Sequence, residues 1–165
     1  MRSKLANNKT PKTKAFTLVE LLAVVALLCV LAGIVVPVLG SVQRSAARTK
    51  SKAQFAQYAF ALELYKQEHG AYPVFLDTDQ WVNLAEHNDA FQQALKPFYT
   101  FSEGEFKDGK LVDAFGNPNI YIVIAKDGHI PSDLLPVGVG SLRGSLVLFT
   151  QKLDGDAYED VYSWQ

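Results

Sequence analysis

Phe16-Thr17-Leu18-Val19-Glu20-Leu21-Leu22 opens the stretch on which the reading of this chain turns. It leads into an apolar run that ends at Leu39, and Glu20 is its one charge. These ~24 residues make a helix about 36 Å long at ~1.5 Å per residue. A hydrocarbon core of roughly 30 Å can be crossed by such a helix with some tilt. Ahead of it, Met1 to Ala15 carry Arg2, Lys4, Lys9, Lys12 and Lys14 and no acid. A basic flank stays on the cytoplasmic side, so the remainder is expected to face outward. Three segments follow: a leader over 1–15, a transmembrane helix over 16–40, and an outward-facing globular domain over 41–165.

Two ordinary explanations compete. An uncleaved signal anchor looks similar. A Sec signal peptide has a shorter apolar core, about 7–15 residues, with a small-residue cleavage site after it. Here Leu31-Ala32-Gly33 is followed by more apolar sequence, and the small residue Ala15 precedes the run. Neither explanation calls for an acid at the fifth position of the span. A carboxylate at bilayer depth costs about 2.5–3.5 kcal/mol on insertion scales, which demands a partner. A cut between Ala15 and Phe16 would free an amino group one helical turn from Glu20. In an assembly, the amine of one subunit could then meet the Glu20 of another. The alternative is a glutamate near the membrane edge that reaches water.

Lys14-Ala15-Phe16-Thr17-Leu18-Val19-Glu20-Leu21-Leu22 resembles the class III leader junction of type IV pilins and type II secretion pseudopilins. The resemblance implies cleavage before Phe16 by a prepilin peptidase, N-methylation of Phe16, and a register-setting role for Glu20. Pro37 falls where the family has a helix-softening proline. The sequence departs from the pattern at Ala15, where the family usually has glycine.

Composition agrees with one modest domain plus an anchor: 165 residues and a net charge of −1, which provides no global basic field for nucleic acid. Cys29 is the only cysteine and lies inside the apolar run, so no disulfide can close within the domain. Many type IV pilins close a C-terminal loop with one, and its absence shifts weight toward pseudopilins. A second basic cluster, Arg44, Arg48, Lys50 and Lys52, follows the span on its outer side. It could touch lipid phosphates or DNA, or mark the membrane edge and pair with acids of adjacent subunits.

The helical pattern continues from Gly40 to His69, and Gly70 stops it. Phe55, Ala59, Leu62 and Lys66 share one stripe, and Ala56, Phe60 and Leu64 lie near a second. Either the second stripe meets neighbouring subunits or both belong to one wide core face. Gly70, then Tyr72-Pro73, resembles the close of the long helix in pseudopilins. Asp77, Thr78 and Asp79 could cap one or two short helices carrying Trp81, Leu84, Phe91 and Leu95 as far as Pro97. Tyr99 to Lys110 reads as loop.

Asp113-Ala114-Phe115-Gly116-Asn117-Pro118 resembles the pseudopilin Asp-x-Trp-Gly-x-Pro segment, with Phe115 for the usual Trp. Gly-Asn-Pro is a turn that Asp113 can cap. Ile120–Ala125, Leu146–Thr150 and Asp160–Trp164 read as strands. Residues 130–144 read as a long irregular connection. The expected fold is α+β and pilin-like: a long N-terminal helix on an antiparallel sheet of three or four strands.

Asp154, Asp156, Glu159 and Asp160 place four carboxylates within seven residues between two strands. Ca²⁺ takes six to eight oxygens, and a short acidic loop with a glycine turn can supply them. The resemblance implies a calcium here, with Asp154 and Asp160 matching best, although this loop is shorter and has fewer glycines than is usual. The alternative is a solvated acidic hairpin. His69, His87 and His129 form no ligand or triad pattern. No G-x-S-x-G, Walker motif or dinucleotide fingerprint occurs, so no enzyme is expected.

The expected role is a structural subunit of a membrane-extruded homopolymeric filament. By resemblance its partners are the prepilin peptidase, minor pseudopilins, membrane lipid, and an inner-membrane platform driven by a cytoplasmic ATPase. Three alternatives stand: a major-type pseudopilin in secretion; a type IV pilin for adhesion, motility or DNA uptake; and an anchored binding domain that never polymerises.

Overall fold

The computed structural model describes residues 17–76, 80–125, 127–151 and 161–163, without the side chains at 34–39. The chain divides into two compact units, Met1–Val42 and Gln43–Gln165. Helix α1 runs Leu18–His69, through position 37. In the first unit the leucines and valines between Leu18 and Leu31 stand open all round, from Leu18 at 80% to Leu31 at 50% exposed. A helix apolar on every side needs an apolar surrounding. Among the described residues no helix is long and apolar enough to cross a membrane. The apolar run continues into positions 34–39, whose side chains lie outside them.

In the second unit α1 ends at Gly70, whose φ of +81° suits a residue without Cβ and whose N–H donates to the Lys66 carbonyl at 2.8 Å. Four short antiparallel strands form one sheet: β1 (Val82–Asn83), β4 (Ile120–Ile124), β7 (Leu146–Thr150) and β8 (Val161–Tyr162), in the order β1-β4-β7-β8. The pairs Ile122–Leu148 and Val123–Val147 set the central register. Ile120, Ile122 and Leu148 face α1 and close a core with Phe55, Tyr58 and Leu62. The expected α+β architecture is present.

Three local expectations change. Trp81 and Leu84 do not lie on a helix. Trp81 precedes β1 and Leu84 follows it; the helix here is α2, Asn88–Leu95. Asp77, Thr78 and Asp79 lie outside the described residues. The expected loop at 99–110 contains a hairpin, β2 (Phe106–Lys107) with β3 (Lys110–Leu111), turned by Asp108 and Gly109 at φ +52° and +77°. Asp-Gly with both φ positive is the type I′ turn that matches strand twist. Residues 130–144 are not simply irregular. β5 (His129–Ile130) pairs with β6 (Leu142–Arg143), and the excursion between them lies over the second face of the sheet. There Ile130, Leu135 and Leu142 pack on Val123, Val147 and Phe149. Trp81 pins the excursion by donating its indole N–H to the Leu134 carbonyl at 2.9 Å, with its ring edge-on to Phe149. Both sheet faces are therefore covered, which is why β4 and β7 are apolar without alternation.

Candidate assembly site

At the start of α1 the Thr17 amide donates to Glu20 Oε2 at 2.8 Å, and the Thr17 hydroxyl donates to the same oxygen at 2.9 Å. The Glu20 amide donates back to Thr17 Oγ1 at 3.3 Å. This is a capping box, which satisfies helix amides that otherwise have no partner. Glu20 thus has a second job that the sequence reading missed: it closes its own helix end. The signal was there, since Thr-x-x-Glu before an apolar run is the capping-box pattern. Ala15 and Phe16, the expected cleavage pair, lie outside the described residues. Pro37 lies within the span of α1.

On the second unit's part of α1, Phe55, Tyr58, Ala61 and Leu62 are buried, whereas Phe60 is 65% exposed and Ala56 is exposed beside it. The second stripe is thus not part of one wide core face. Leu64 and Lys66 are half-buried. Lys66 lies over the Tyr72 ring at 4.5 Å, and the Tyr72 hydroxyl donates to Glu63 at 2.6 Å. Ser145 donates to the same Glu63 oxygen, tying the start of β7 to the helix. Burial works to raise the Glu63 pKa, but these hydroxyl donors outweigh it and hold the carboxyl below its ordinary value.

Two buried polar junctions hold α1 to the rest of the second unit. In the first, Tyr58 donates to Glu105 and Gln54 donates to both Tyr58 and the Val112 carbonyl. Tyr99 and Ser102 also donate to Glu105. Burial raises the Tyr58 pKa well above the ordinary phenol value, so this group stays a donor. In the second, Asp113 Oδ1 accepts the amides of Phe115 and Asn117 at 2.8 and 2.9 Å, as the expected turn requires. Its other oxygen accepts from Thr150, and Ser51 on α1 accepts the Ala114 amide. Burial outweighs these bonds and pushes the Asp113 carboxyl upward. Phe115 sits half-buried against the main core.

Asp154, Asp156, Glu159 and Asp160, the expected calcium ligands, lie outside the described residues. The strand ends on either side are paired, Thr150 with Val161, so the acidic segment leaves and returns at adjacent positions. Among the described residues no group of three or more His, Cys, Asp or Glu is placed to hold a metal. His69 ends α1 exposed with its ring on Tyr65, His87 stacks on Phe75, and His129 is exposed.

Residues 10–36 match the family model described as the prokaryotic N-terminal methylation motif. The chain is 31% identical over 153 residues to the type II secretion system core protein G of Pseudomonas aeruginosa, a match covering 90% of this chain and 93% of the relative. No solved structure matches it. With similarity running nearly end to end along both chains, this protein belongs to the type II secretion system core protein G family.

Proposed function

We infer that this chain is a structural subunit of a type II secretion pseudopilus. The single observation that carries this is the near full-length similarity to core protein G, extending from the N-terminal motif through the globular domain. A motif match alone would leave motility pilins equally placed.

In this reading Ala15–Phe16 is the processing junction and Phe16 carries the N-methyl group. The apolar half of α1 anchors the subunit in the inner membrane in a single pass, with the globular domain in the periplasm. A neighbour's Phe16 amine neutralises Glu20, and Pro37 softens the helix as subunits enter the filament. The partners are further copies of this chain, the prepilin peptidase, minor pseudopilins, and a platform with its cytoplasmic ATPase. Calcium at Asp154, Asp156, Glu159 and Asp160 belongs to the same proposal. It is supported by four carboxylates crowded into a segment whose flanking strands are paired. Bound there, the ion would neutralise the carboxylates and fasten the segment in a domain that has no disulfide.

Deletion of the gene should abolish export of the secreted proteins, and the wild-type chain should restore it. Mass spectrometry of the mature protein should find N-methylated Phe16 as residue one. An intact Met1 start, or export unaffected by the deletion, would overturn this reading.

A further inference from the structure

Among the described residues the two most exposed large apolar side chains are Val137, at 102%, and Val74, at 89%. Val137 crowns a turn in the excursion between β5 and β6. The Val139 amide donates to the Pro136 carbonyl at 3.0 Å, and Gly138 supplies a positive φ of +88° at the third position of the turn. Such turns usually present polar residues or proline at the place Val137 takes. Leu135 and Pro136 just before it are buried, and Val139 just after it packs against the sheet. Behind them the Trp81 indole holds the Leu134 carbonyl. Val137 is therefore an apolar knob on a stem that is already fixed.

Val74 stands at the rim of an open groove of about 350 Å³, lined also by Tyr65, Pro73, Phe75, Ala94 and Pro97. The walls come from the end of α1, the 3-10 turn Val74–Leu76 and α2. The groove can take an apolar side chain together with the turn that carries it. Phe75 and Ala94 pack on the core at the α1 face of the sheet, whereas Leu135 and Val139 pack on the other face. The sheet thus stands between knob and groove, and a chain's own turn does not fill its own groove. Charge points the same way. Asp133, exposed, stands four residues before Val137, and Lys96, exposed, stands beside Pro97. Opposite charges flanking an apolar contact choose its partner and its register.

A knob and a groove on different faces of one molecule join copies head to tail, and such contacts extend into helical filaments when the rotation does not close. A preorganised knob docks with little loss of freedom. We propose that Val137 of one subunit seats in the groove of Tyr65, Phe75 and Pro97 on a second copy, with Asp133 meeting Lys96 of that copy, as a contact between globular domains in the filament. The inference rests on the filament reading above.

The test uses the full mature chain in cells that assemble it, with Cys29→Ser removing the native thiol. One copy carries Val137→Cys and another Val74→Cys, and a short bis-maleimide is added to sheared filaments. A cross-linked dimer should form only when both copies are present. In chains without these thiols, Val137→Ser should lower filament yield about tenfold, as loss of a buried valine does, and leave the melting temperature of the single chain unchanged. Val137→Ile should keep the yield. Asp133→Lys and Lys96→Asp should each lower the yield about threefold, and the two together should restore it. Filaments without the dimer, a link to a different protein, or a charge swap no better than its singles would overturn the docking and leave the pseudopilus reading standing. No filament from the wild-type chain would sink both.

Discussion

Tyr58 on α1 donates its phenol hydrogen to the Glu105 carboxylate at 2.6 Å, across 47 positions of sequence. The acid is buried and is held by hydroxyl groups and an amide. Removing the phenol oxygen leaves both Glu105 and Gln54 short of a partner. Tyr58→Phe should destabilise the domain by about 1–3 kcal/mol, read from urea unfolding midpoints.

Acid titration should expose the same carboxylate. Burial works to raise the pKa of Glu105, but its hydrogen bonds from Tyr58 and Ser102 outweigh it, and its folded pKa lies below the ordinary 4.5. Glu63 is lowered likewise. Between the folded and unfolded values the unfolded chain holds more protons, so stability rises with pH there. The contribution is full above about 4.5 and is lost as pH falls through the folded values. Glu105→Gln should flatten this acid limb in melting curves taken from pH 6 downward. An unchanged limb would show that Glu105 gains nothing from folding.

Asp113 runs the other way, because burial lifts its carboxyl above the ordinary 3.8. The folded state holds the proton more tightly, so this group's contribution falls as pH rises through that window and opposes stability at neutral pH. Asp113→Asn keeps the oxygen that caps the turn and removes the buried charge. It should leave the melting temperature at pH 7 unchanged or raise it. Asp113→Ala strips acceptors from the Phe115 and Asn117 amides and should cost about 2–3 kcal/mol.

Glu20 caps its own helix and, in the proposed filament, answers a neighbour's amine. Two substitutions separate these jobs. Glutamine can close a capping box but carries no charge. Glu20→Gln should therefore preserve helix content by circular dichroism while abolishing filaments seen by electron microscopy. Glu20→Ala should lose filaments and also fray the first turn. Normal filaments from Glu20→Gln would reduce this residue to a cap.

Phe60 stands 65% exposed on α1, opposite a face closed by Phe55 and Leu62. Phe60→Ser should shift the stability of the single chain by no more than about 0.5 kcal/mol, as surface changes usually do. If the open stripe meets neighbouring copies, the same change should sharply lower filament yield. Melting curves and sedimentation of assembled material measure the two effects separately.

For the acidic segment at 154–160, the mature chain should melt several degrees lower in chelator than in calcium, because an ion that binds only the folded state stabilises it by mass action. Asp154→Asn with Asp160→Asn should remove the difference. Identical melting with and without chelator would refute the metal.

Much of this architecture was legible from neighbours in the chain. The end of α1 at Gly70, the strands at Ile120 and Leu146, and the Asp113 turn depend on periodicity, β-branching and side chains reaching two to four residues away. Even the missed hairpin at Asp108-Gly109 was a local signal. Residues 130–144 were harder, because their order comes from what they cover. Their clue lay elsewhere, in the lack of alternation along β4 and β7, where a sheet with one wet face would have shown polar residues.

The sequence by itself determined the charged leader, the apolar helix with its lone acid, and the class of fold, since these follow from local spacing and composition. Only the tertiary structure decided that Tyr58 answers Glu105, that Trp81 reaches Leu134, and that the sheet is covered on both faces. Those contacts join residues 47 and 53 positions apart. Their formation depends on how packing brings distant segments together, and the chemistry of each residue's own neighbours does not encode that.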